Sequence, residues 1–525
     1  MKNKTKILVP FLAAALVMLT TACKKDPITL PDIKSPTTKI VSDEKQILLG
    51  EQLNDPYDIE FMSSALSQML DEGYEFPFTE IEPTGQYVRL FAASTADLDA
   101  IEADTTTLWF DYPLDYDISE GGTSYHAPGI PDSATWKYAV VPMDYNFPEN
   151  IEREILHFVF IPDEHPEYEQ YENSFDLLEE LSEKLCENTT FPRDEDIIPS
   201  GKKAKKWAPS ATIRAWDDVV GGLIPLQGVK VTARRGTKCR HQFTDANGEC
   251  TFAKEFKEGK NVKYGITWER GKWDIRDGWW QAYYNGPKLT TAWNLDIYGQ
   301  KSLMYATIHR AAMKAYYGYF GDLQRPNLVV GKMKISYRHY LGDQLGMHWS
   351  GWHVFGLVSD IYIWGYDHNG YRKTNAVFGT TLHELAHQAH QRYMGTVQFW
   401  QVNEFVGESW ARGIQCILTN QHYREELALN DRCLTHDELY SMQHYRKEIH
   451  GNYTPLFIDL IDDFNQALYY GNDYINDNIS GYTLQEIQDN ILGSSYGLTS
   501  CRNTLKSLKL HGETDDDIDD LFAKY

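Results

Sequence analysis

One segment, Thr380 to Gly395 (TTLHELAHQAHQRYMG), restricts how this chain can fold more than any other. His383, Glu384 and His387 make joint chemical sense only on a helix, where residues four apart share a face about one turn apart. There two imidazoles can address a single ion, and Glu384 stands near enough to hold a water beside it. Around them Thr381, Leu382, Leu385, Ala386, Gln388 and Ala389 are uncharged, as a helix packed against a sheet requires, and Gly395 offers a C-terminal stop. The competing reading is a core helix whose histidines hydrogen-bond to neighbours. A third ligand nearby decides between them.

His390 is a poor third ligand, because three histidines on one continuous helix rarely close a tetrahedral site. The segment QVNEFVGESWARGIQCIL has helical periodicity and presents Glu404 and Glu408, again four apart on one face. An antiparallel helical hairpin turning through Gly395 to Trp400 places His387 seven residues back from Met394, so its mate belongs near position 407. Glu408 is the nearer; Glu404 falls almost one turn short, roughly 5 Å along the axis. Glu408 is therefore the expected ligand. Glu404 is the alternative ligand or the group that orients one of the histidines.

His383, Glu384 and His387, followed within about twenty residues by a helix carrying Glu-Ser-Trp-Ala, resemble the gluzincin metallopeptidases. GESWA is similar to the form in which the family's glutamate stands in a Glu-Gly-aromatic-Ala setting, and NEFVGE to the form in which the first acid is the ligand and a second, one turn on, braces a histidine. The resemblance covers about thirty residues and implies a zincin-like α+β catalytic domain that binds Zn2+ through two histidines and one carboxylate. It implies peptide-bond hydrolysis, with the open metal position left to water and Glu384 acting as general base. An oxyanion donor is then needed, and Tyr453 and Tyr482 are candidates. The rival reading is a non-catalytic cell-surface binding lipoprotein with a zincin-like domain.

Upstream of the histidine segment, SLMYATIHRAAMKAYYGY is helical by the spacing of Met304, Ile308, Ala311 and Ala315, while NLVVGKMKISY and VSDIYIWGYD are strand-like. The latter is the expected edge strand for main-chain pairing with an extended peptide substrate. Residues 285–525 are thus read as the catalytic domain. Residues 211–284 show short strands separated by turns, with Val262, Tyr264, Ile266 and Trp268 on one face and Asp245 to Gly248 as a turn. This reads as an immunoglobulin-like β-sandwich, and GVKVTARRGTKCRHQFTDANGECTF resembles the carboxypeptidase-regulatory-like domains of secreted enzymes. Residues 44–193, with KYAVVPM, ILHFVFI and the helical SFDLLEELSEKL, form a mixed α/β domain to which no chemistry can be assigned. Between these two, 194–210 is a linker whose basic run, Lys202 to Lys206, is expected to be solvated.

The N-terminus carries a basic start, MKNKTK, and an apolar run, Ile7 to Leu19, interrupted by Pro10 and too short to span a bilayer comfortably. LTTAC resembles a bacterial lipobox, so 1–23 reads as a signal peptide ending at a lipidated Cys23, with an uncleaved anchor as the alternative. The resemblance and Lys24 imply a lipid-anchored protein of the cell envelope, at the outer membrane, and the layout is similar to Bacteroidota lipoproteins. Residues 24–43, punctuated by proline, form a tether.

With 75 acidic and 50 basic residues the formal charge is −25, which repels phosphate backbones and argues against nucleic acid as a partner. The expected partners are a peptide or protein substrate and, through Cys23, the membrane. Six further cysteines permit up to three disulfides but form no CxxC pair, so a cysteine-based metal site is unsupported. The acidic end ETDDDIDDLF reads as a capped helix start, because a calcium loop needs a glycine and a later glutamate in register.

Overall fold

The computed structural model describes residues 21–24 (backbone only), 45–187, 205–326, 331–339, 344–348, 359–427 and 453–525. The expected signal segment before Thr21, the tether, most of the linker, the side chain of Cys23 and all of Cys433 lie outside them. The chain is multidomain and mixes helices with mainly antiparallel sheets. No described helix is long and apolar enough to cross a membrane.

In the N-terminal region Gly85–Ala92 is the central strand of a three-stranded antiparallel sheet, between Thr135–Pro142 and Arg153–Val159. Both of its faces are covered. Tyr87 joins Met62, Leu66, Phe175 and Leu178 of the helices Ile59–Asp71 and Glu172–Glu187, while Val88 and Leu90 join Leu98 and Ile101 on the other side. The end of the basic run is not solvated as expected: Lys206 pairs with Glu172 and Asp176 at 2.8 and 3.1 Å.

Two four-stranded sheets follow. One has the order Lys238–Phe243, Lys230–Arg235, Val262–Thr267, Tyr283–Leu289; the other joins Glu249–Thr251, Ser210–Asp217 and Trp293–Ile297, with Gly222–Pro225 also on Ser210–Asp217. They share one core, in which Tyr264 and Trp293 meet with ring centroids 5.6 Å apart. Val262, Tyr264, Ile266 and Trp268 are all buried, as their alternation requires. At the expected turn, the Asp245 carboxylate accepts from the Asn247 amide at 2.8 Å and Gly248 takes a positive φ of 75°.

Sheet membership does not respect the expected boundary between residues 284 and 285. Trp293–Ile297 lies beyond it yet completes the second sheet through parallel pairing with Ser210–Asp217. Conversely, Glu269–Arg270, Trp273–Asp277 and Trp280–Gln281 lie before it and belong to a third sheet, ordered Thr21–Lys24, Gln344–His348, Ile361–Trp364, Met333–Arg338, Trp273–Asp277, Glu269–Arg270. The middle strands run parallel, and Gln344–His348 runs antiparallel to Ile361–Trp364. Ile361–Trp364 is thus an interior strand, not the expected edge; outside it lies Gln344–His348, bordered in turn by Thr21–Lys24. Against this sheet pack the helices Gln300–Tyr316 and Thr374–Met394, the second of which also packs against Glu404–Gln421. No disulfide joins Cys186, Cys239, Cys250, Cys416 and Cys501 to one another.

Candidate metal centre

The helix Thr374–Met394 is held at its start by the sandwich. The Thr374 amide donates to the Asp218 carboxylate at 2.8 Å, and the Asp218 amide donates back to the Thr374 hydroxyl at 2.9 Å. A carboxylate there satisfies an orphan donor and complements the positive end of the helix dipole. The neighbouring Asp217, fully buried, accepts from Arg310 at 2.7 Å and from Tyr423 at 2.9 Å, tying the two flanking helical segments to the same strand end. The helix stops at Gly395, whose φ of 84° suits glycine, and the chain turns through the short helix Thr396–Phe399. Asn403 then caps Glu404–Gln421 by accepting from the Phe405 amide at 2.9 Å.

This hairpin brings His383, His387 and Glu408 together, all buried. The two Nε2 atoms are 3.1 Å apart; Glu408 Oε2 is 3.2 Å from His383 Nε2 and Oε1 is 3.3 Å from His387 Nε2. Ligands held at 2.0–2.2 Å around a tetrahedral zinc are separated by roughly 3.3 Å, so the three donors are already spaced for one such ion. Burial lowers the His383 pKa more than Glu408 raises it, which favours the neutral imidazole that ligates metal. Burial alone would push the Glu408 carboxyl up, but His387 and His383 outweigh it and hold it ionised.

Glu384, fully buried, lies under the outer strand. A Cβ at Gly346 would sit 2.3 Å from Glu384 Oε1 and 2.7 Å from Thr380 Cγ2, so a larger residue there would have to displace the Glu384 carboxylate or the strand. The same strand carries His348, buried and stacked on His387 with ring centroids 5.9 Å apart. Its Nε2 has no hydrogen-bond partner among the described residues, while Gln391 bonds to the ring; burial and then His387 push its pKa down to about 3. His383 has Gln415 as a side-chain partner, and Arg412 donates to Gln415 Oε1 at 2.8 Å.

The other expected site residues lie outside the triad itself. Glu404 is exposed in the first turn of its helix and outside the converging triad; Gln415, about three turns further along the same helix, stands beside His383 instead. The Tyr482 hydroxyl donates to Glu513 and its ring lies 4.4 Å from His511, so it is committed to the C-terminal segment. Tyr453 is half-buried with the Arg412 guanidinium 5.3 Å over its ring, next to the Arg412–Gln415 pair. His390 stays out of the triad, as expected: its Nε2 is 3.0 Å from Met394 Sδ, and burial pushes its pKa down to about 3. Gly346, His348 and Gln415 were not anticipated; a glycine and a histidine two apart in a short strand carry no pattern that singles them out.

No family model, curated protein or solved structure matches this chain.

Proposed function

We propose that this protein is a zinc-dependent peptidase of the gluzincin type. Its zincin-like domain follows an immunoglobulin-like, carboxypeptidase-regulatory-like sandwich, and it is anchored through a lipid at Cys23 to the cell envelope, at the outer membrane. The observation that carries this reading is the convergence of His383, His387 and Glu408 at 3.1–3.3 Å, with Glu384 buried one residue along. These residues would hold the zinc, which supplies Lewis acidity to a water and to the scissile carbonyl. The carboxylate of Glu384 takes the proton as the water oxygen adds to the carbonyl carbon, then delivers it to the amide nitrogen as the C–N bond breaks. Its burial under Gly346 excludes bulk water and keeps it aimed at that path.

The outer strand supports a peptide as substrate. Thr21–Lys24 of the same chain pairs with it antiparallel, Thr21 opposite His348 and Lys24 opposite Gln344, which is how an extended peptide adds to a sheet edge. Processing at Cys23 removes Thr21 and Ala22 and opens that edge.

Glu384→Gln is the test: it keeps every ligand, so zinc content should equal the wild type while cleavage of a peptide library falls by at least about 10³-fold. A glutamine variant as active as the wild type contradicts the mechanism. No cleavage by either form favours the binding-lipoprotein reading.

A further inference from the structure

A second group of acids lies apart from the histidines. Asp459, Asp462 and Asp477 each place one carboxylate oxygen within 4.8 Å of the other two. Asp459 is fully buried and Asp477 is 4% exposed. Tyr525 and Gln466 donate to Asp459, the latter at 2.6 Å, and the Ile479 amide donates to Asp477 Oδ1 at 3.0 Å. Asp477 Oδ2 is buried with no hydrogen-bond partner among the described residues. No described lysine, arginine or histidine pairs with Asp459 or Asp477; the charges acting on Asp459 are those of Asp477 and Asp462. Burial pushes the Asp477 carboxyl up to about 8 and, helped by Asp477 and Asp462, lifts Asp459 well above the carboxylate range.

Buried like charges facing one another, with an acceptor oxygen left unpaired, need a cation or a proton between them. The donor set is all oxygen, which suits a hard ion rather than zinc. Calcium, with ligand distances of 2.3–2.6 Å, can bridge oxygens up to roughly 5 Å apart, whereas magnesium reaches only roughly 4 Å. We propose that Asp459, Asp462 and Asp477 form a calcium site, separate from the histidine centre. It joins three segments: the loop bearing Asp477, the C-terminal Tyr525, and the helix Leu456–Asp459. That helix buttresses the Glu408 helix, since the Thr454 amide just before it donates to Ser409 Oγ at 2.8 Å and Phe457 meets Trp410 edge-on at 5.4 Å. The ion thus stiffens the support of the metal centre without contacting it, and the inference does not depend on what that centre does.

The full chain, stripped of metal on a chelating resin and reloaded with one equivalent of zinc, is titrated with calcium chloride by calorimetry and by thermal unfolding. The wild type should bind one calcium and melt at a higher temperature with calcium present. Asp477→Asn should bind calcium at least roughly tenfold more weakly and lose most of that shift, with zinc content unchanged. Asp477→Glu, which keeps the charge, should retain binding and shows whether the asparagine effect is one of charge. No calcium binding by the wild type overturns the proposal. So does an asparagine variant that binds as tightly, or one whose melting temperature rises while calcium has no effect, the outcome expected of protonated acids alone. Tighter binding of magnesium than calcium overturns the choice of ion.

Discussion

Under the N-terminal region, Glu269 lies between Lys230 and Lys332, each 2.5 Å away; Lys137 lies 2.8 Å from both Glu102 and Asp111; Asp274 faces Arg276 at 3.0 Å; and Asp99 faces Lys334. All but Asp99 are buried, and five acids meet five bases. In the hairpin, Glu408 faces two imidazoles whose Nε2 atoms also face each other, and burial favours the neutral form of His383. In the first cluster every acid has a cation of the chain against it. The second gathers two imidazole nitrogens and one carboxylate within 3.3 Å of one another, the donor set and spacing that a zinc ion would take. The lesson is that buried charge alone does not mark a site; what faces the charge does.

The largest effect should come from breaking the first cluster. Glu269→Ala leaves the buried Lys230 ammonium without its carboxylate and Lys332 with only Glu102, 3.9 Å away, and should cost about 3–5 kcal/mol of stability, read from guanidinium unfolding at neutral pH. The same cluster gives a pH signature. Burial alone would raise the Glu102 carboxyl, but Lys137 and Lys332 hold its pKa at about 2. Unfolded, it titrates near roughly 4.3, so its stabilisation is fully present above that pH and is lost as pH falls from there through about 2. Glu102→Gln should flatten that part of the stability curve.

At the candidate metal centre the expected effects are on function rather than folding. Gly346→Ala puts a methyl group into the space of the Glu384 carboxylate, so cleavage should fall about 10²-fold with zinc retained; an unchanged rate would show that the strand does not position the base. Gln415→Ala should weaken zinc binding by about 10- to 100-fold, whereas Glu404→Ala should leave it unchanged. The reverse order, measured by competition with a chromophoric chelator, would return the supporting role to Glu404.

How much of this was legible in the sequence follows from the range of each interaction. The two helices, their stop at Gly395 and the pairing of His383 and His387 with Glu408 rest on helical periodicity and the length of one short hairpin, all local, and the geometry agrees with them. Sheet partners are not local. Alternation in Val262–Trp268 reveals a buried face, but nothing in Trp273–Asp277 says that it leaves the sandwich to lie parallel to Met333–Arg338. Ile361–Trp364 reads as an edge strand from its place before the histidine segment, but its apolar run suits an interior strand, and it is paired on both sides. Glu404 shares a helix face with Glu408, yet sits at the exposed N-terminal turn, so periodicity alone could not separate them. Tyr482 is one of 34 tyrosines, and only its bond to Glu513 takes it out of contention.

The most direct measurement is zinc stoichiometry with X-ray absorption at the zinc edge on the purified chain, alongside His383→Ala, His387→Ala and Glu408→Ala. One zinc per chain, ligated by two imidazoles and a carboxylate and lost in each variant while the fold persists, is the predicted result. A wild type that binds no zinc, or variants that keep it with unchanged ligation, would contradict the account.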